Sequence, residues 1–72
     1  MTRKAVEKIE GTIYETTLRN KKEGRQYLED AGRSEDAARV RASIAGYVQS
    51  LRDCGVITES ERKALYLYYG TI

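Results

Sequence analysis

The chain has 72 residues, a third of them charged, and 13 Lys and Arg against 11 Asp and Glu leave a net charge of only +2. There is no histidine, no proline, no Phe or Trp, and one cysteine, Cys54. This composition excludes an imidazole base, a Ser-His or Cys-His nucleophile pair, an intrachain disulfide and the usual zinc ligand sets.

A single domain of this size buries about 60% of its unfolded surface, so its aliphatic core is thin and self-association is the natural supplement. Interspersed charges of both signs read as a solvated surface. No apolar run approaches the roughly 18 residues of a membrane span. The N-terminus lacks an apolar signal core, and a lone thiol fits a cytoplasmic location.

Apolar residues recur at helical spacing and no strand pattern is present, so the fold class is all-α. In the first third, Ala5, Val6, Ile9, Ile13, Thr17, Tyr27, Leu28 and Ala31 share one face, which predicts a helix over 2–31. That reading places Asn20 and Gly24 on the inner face, where glycine admits a close backbone and asparagine fixes register. A second reading breaks this helix at Asn20–Gly24, because both residues are poor helix formers. Tyr14 and Leu18 form an i, i+4 pair off the main face, a candidate contact patch.

After Gly32 the phase shifts. Ala37, Val40, Ile44, Tyr47, Val48, Leu51 and Cys54 define the stripe of a second helix over 34–54, with Ser34 as its N-cap and Glu35 and Asp36 favoured by the helix dipole. Cys54 lies on this stripe, which predicts a buried structural thiol. Ala38, Ala42, Ala45 and Gly46 form a ridge of small side chains opposite it, the mark of a helix packed on both faces. Gly55 is a natural C′ residue with Val56 as its apolar partner. Thr58-Glu59-Ser60-Glu61 then spells a capping box opening a third helix over 59–69, which Gly70 ends.

The third helix is apolar nearly all round. Leu65, Tyr68, Tyr69 and Ile72 share one side, and Tyr66 and Leu67 point elsewhere. The expected architecture is a small helical hairpin or bundle of three helices.

Leu51 to Glu59 resembles the helix-Gly-Ile-Thr-Glu-helix turn of many small bacterial helical proteins, including short C-terminal oligomerisation segments. The likeness spans about 15 residues, and good capping accounts for it. A DNA-binding helix-turn-helix fits poorly. Leu51 and Glu61 stand where a small and an apolar residue are expected, and the second helix presents leucines and tyrosines where polar base-reading side chains belong.

Arg19, Lys21, Lys22 and Arg25 form the densest basic cluster and are candidate phosphate contacts of a nucleic-acid accessory protein. Glu15, Glu23 and Glu29 are interleaved with them, and no aromatic alternates as a stacking platform. No carboxylate pair stands in surroundings that separate its pKa values for acid–base work, and no phosphate-cradling or calcium-binding loop is present.

The expectation is therefore a non-enzymatic protein-interaction module without metal, cofactor or membrane attachment. It would be a dimer that binds a larger protein as an adaptor or inhibitor, of the kind phages and mobile elements encode. Tyr14, Leu18, Tyr66, Leu67 and Tyr69 are the contact residues, and nucleic acid is the alternative partner.

Overall fold

A computed structural model describes residues 2–71 and shows an all-α bundle about 35 × 20 × 20 Å. It has four α-helices: α1 Thr2–Ile9, α2 Ile13–Asp30, α3 Ser34–Asp53 and α4 Glu59–Tyr66. A π-helical turn, Leu67–Thr71, extends α4. Met1 and Ile72 lie outside the described residues, so the face expected for Ile72 is not among them.

The helix expected over 2–31 is two helices, and it breaks at neither Asn20 nor Gly24. The break is at Gly11, whose φ of 79° lies in the left-handed region that a side chain disfavours. Thr12 then caps α2, its hydroxyl accepting the Glu15 N–H at 3.4 Å. Asn20 and Gly24 sit within a continuous α2 and are exposed.

This break changes the phase of everything after it. Ile13, expected inside, is 73% exposed, and Tyr27 is 71% exposed. Ala31 is exposed too. Leu18, expected off the main face, is fully buried.

The second expected helix agrees closely with α3. Ala37, Ile44, Val48 and Leu51 are buried along its inner stripe. Gly55 has a φ of 79° and closes a Schellman turn: its N–H donates to Arg52 O at 3.0 Å and the Val56 N–H to Leu51 O at 2.9 Å.

Two details differ. The cap of α3 is Arg33 and not Ser34, because Arg33 also ends the preceding turn, donating its N–H to Leu28 O at 2.8 Å. Cys54 is exposed, because the stripe ends at Leu51 and the chain reverses over Val56 and Ile57, leaving the thiol outside. The ridge of small residues is uncovered in the single chain: Ala38, Ala42 and Gly46 are exposed and Ala45 half-buried.

The capping box of α4 is complete. The Thr58 hydroxyl accepts the Glu61 N–H at 3.2 Å, and Glu61 Oε1 accepts the Thr58 N–H at 2.7 Å. The same Glu61 oxygen accepts from Lys8 Nζ at 2.8 Å, which ties α1 to the start of α4.

The architecture follows from these ends. α2 and α3 form an antiparallel hairpin. α4 packs on α1 and α3, and the π turn lies across α2 and α3. One cluster, including Ala5, Ile9, Leu18, Ile44, Val48, Leu51, Ile57, Leu65 and Tyr69, draws on all four helices and the turn. Gly70 is buried in that turn, and a Cβ there would stand 2.9 Å from the Tyr66 ring.

Candidate functional site

Because α1 folds back at Gly11, its outer flank and that of α2 become the two walls of a cleft. The cleft holds about 900 Å³ and ends against the C-terminal tyrosines. Val6, Tyr68 and Tyr69 supply its apolar lining. Tyr68 is half-buried and Tyr69 is buried, with their rings edge to face, centroids 4.8 Å apart at 81°. Burial, and then the neighbouring Glu15 carboxylate, push the Tyr69 phenol above its usual range, so it stays protonated.

The walls are charged with both signs. Arg3 and Glu7 pair on α1 at 3.4 Å, and Arg19 and Glu15 pair on α2 at 3.0 Å. Glu10 and Glu23 also line the cleft and make no ion pair among the described residues. Lys22 places its ammonium 4.0 Å above the centre of the Tyr68 ring. Desolvation there, reinforced by Arg25, lowers the Lys22 pKa.

The residues singled out for protein contact do not form one patch. Leu18 is a core side chain, and Tyr69 is almost wholly within the core while still lining the cleft. Tyr14 and Tyr66 are half-buried and pack against that core. Leu67 alone stands out, 52% exposed. Tyr68, placed by helical spacing on one side with Leu65 and Tyr69 and not among the expected contacts, reaches the cleft.

The basic cluster is likewise dispersed. Arg25 is 2% exposed: its Nε donates to Tyr69 O at 3.3 Å and its Nη1 to both Glu29 oxygens at 2.9 and 3.0 Å. Glu29 also holds Arg41 at 2.8 Å, so Arg25 is a strut between α2 and the π turn. Lys21 donates to Ser43 at 2.6 Å, Arg19 pairs with Glu15 and Lys22 covers Tyr68. Arg19 and Lys22 thus line the cleft, Lys21 faces Ser43 of α3 and Arg25 is buried.

Sequence reasoning missed the cleft because both its walls depend on the turn at Gly11. The signal was there: Gly11, Thr12 and Glu15 repeat the pattern of Gly55, Thr58 and Glu61, a helix stop followed by a capping residue. Among the described residues no group of acidic, cysteine or histidine side chains is placed to hold a metal, and no helix is long and apolar enough to cross a membrane. No protein-family model, curated protein or solved structure matches the chain.

Proposed function

We propose that this chain is a non-catalytic protein-binding module, acting in the cytoplasm as an adaptor or inhibitor of a larger protein, and that its contact surface is the cleft between α1 and α2. The observation that carries this reading is the tyrosine end of the cleft, an apolar surface of Val6, Tyr68 and Tyr69 rimmed by charges of both signs. Protein interfaces share this anatomy, an aromatic anchor site inside a polar rim. The cleft follows the full length of α1, about 12 Å at the helical rise, which suits one or two turns of a partner helix or a short extended segment.

A photo-crosslinking residue at Val6, compared with the same residue at Ala42 on the outer side of α3, tests the reading. In lysate of the source cell, the Val6 probe should capture one protein that the Ala42 probe does not. Tyr68→Ala should weaken that capture about tenfold, the usual cost of an interface tyrosine. Identical capture at both positions, or recovery of nucleic acid with a steep loss on adding salt, overturns it.

A further inference from the structure

A second surface, on the other edge of α2, is uncharged in a chain of which a third is charged. Ile13, Thr17, Asn20, Gly24 and Tyr27 follow one another at alternating spacings of four and three residues, the seam of a two-stranded coiled coil. They line a strip about 20 Å long at the helical rise. Its two ends, Ile13 and Tyr27, are the most exposed of the large apolar side chains in the described residues. Its middle is open, because a Cβ at Gly24 would meet nothing within 4 Å. Beside it runs a shallow groove of about 420 Å³ between α2 and α3, lined by Asn20, Gly24, Val40 and Ser43 among others.

We propose that this strip pairs with the same strip of a second copy of the chain, the two α2 helices running parallel. The charges on its flanks choose both the occupant and the direction. On the flank toward α3 stand Lys21 and Arg39, which line the groove. On the opposite flank helical spacing places Glu23 and Asp30, neither in an ion pair among the described residues.

In a parallel two-fold pair, the acidic flank of each helix faces the basic flank of the other. An antiparallel pair that matches Ile13 to Tyr27 instead sets Lys21 beside its own copy, like charge against like. The parallel pair also places Asn20 beside its own copy, where an amide both donates and accepts and so fixes the register, and brings the two Gly24 backbones together. A contact of four helical turns is small, so the dimer is weak and concentration-dependent.

Sedimentation across micromolar to submillimolar concentration should show a reversible monomer–dimer equilibrium. Gly24→Glu separates association from folding. In the monomer the new side chain meets open space and improves helix propensity, so helicity is kept, while in the dimer two carboxylates face each other. It should weaken dimerisation by at least roughly tenfold. In a Cys54→Ser background, Tyr27→Cys alone and Ile13→Cys alone should each oxidise to a covalent dimer faster than Ala42→Cys does.

A monomer at every concentration, or a dimer indifferent to Gly24→Glu, overturns the proposal. So does cross-linking that appears only when the Ile13→Cys and Tyr27→Cys chains are mixed, the result an antiparallel pair gives.

Discussion

The turns at Gly11 and Gly55 begin alike and end differently. Each has glycine at a φ of 79°, and each is followed by a threonine that caps the next helix with a glutamate three residues on. At the second turn the glutamate reaches back, so Glu61 accepts the Thr58 N–H and the box closes. At the first, the Thr12 N–H donates to Ile9 O at 3.1 Å and Glu15 pairs with Arg19 instead of reaching back.

Packing differs as well. Leu51 before the second turn and Ile57 after it are both buried, whereas the first turn has Ile9 buried before it and Ile13 exposed after it. One turn is held by side chains on both sides and by a closed polar ring. The other is held on one side and leaves its far isoleucine exposed.

The largest expected effect tests that asymmetry directly. Ile9→Ala should cost about 2–5 kcal/mol, as for other fully buried aliphatics, whereas Ile13→Ala should stay within about 0.5 kcal/mol in the dilute monomer. Denaturant titration of both variants measures the difference. Equal losses would mean that the two isoleucines share one face, and that α1 and α2 are a single helix.

The same pair shows what could and could not be read from the residues. Ile9 and Ile13 are four apart, which in an unbroken helix puts them side by side, and the phase through Tyr27 and Ala31 reinforced that reading. A single residue with positive φ cancels it, and hydrophobic periodicity carries no trace of one glycine. Around Gly55 the periodic stripe stops where the capping residues begin, so local chemistry and pattern agree, and α3, its turn and the start of α4 were legible.

The burial of Arg25 was not legible, because its partner carbonyl belongs to Tyr69, 44 residues away. The cleft was hidden for the same kind of reason: its walls are adjacent only once α1 has folded back. Of its two tyrosines, Tyr69 was a candidate contact and Tyr68 was not, and their placement is decided by the π turn that follows α4.

Backbone variants give a smaller effect whose sign is the useful readout. Gly11→Ala and Gly55→Ala should each lose about 1–2 kcal/mol, the cost of holding a side chain in the left-handed region. Gly46→Ala, in the exposed middle of α3 where a Cβ meets nothing, should gain up to about 1 kcal/mol from helix propensity alone. Thermal melts of the three variants under one condition rank them. If Gly11→Ala behaves like Gly46→Ala, the first turn is helical and the comparison fails at its root.

The smallest effect concerns acid, and it separates the two caps by their chemistry. Hydrogen bonds from Arg62, reinforced by Arg52, hold the Glu59 carboxyl down at about 2, and Lys8 together with the Thr58 backbone lowers that of Glu61. A carboxyl whose folded pKa lies below its unfolded value, about 4.3 for Glu, contributes stability that is fully present above that value. For Glu59 the contribution is lost as pH falls from there toward 2, and for Glu61 it is lost as pH falls below that unfolded value. Both groups are solvent-facing, so the loss is modest and screened by salt. It concentrates at the first turn of α4, because Glu61 there is bonded both to the cap backbone and to α1. Amide exchange should therefore show the Glu61 and Arg62 N–H groups losing protection between pH 5 and pH 2 ahead of Glu15 and Thr16 at the start of α2. Glu61→Gln should lower the melting temperature at neutral pH and shrink its further fall on acidification, since the group that titrates is gone. If protection is lost at both helix starts together, and the glutamine variant falls as far in acid as the parent chain, the closed box confers nothing that the open one lacks.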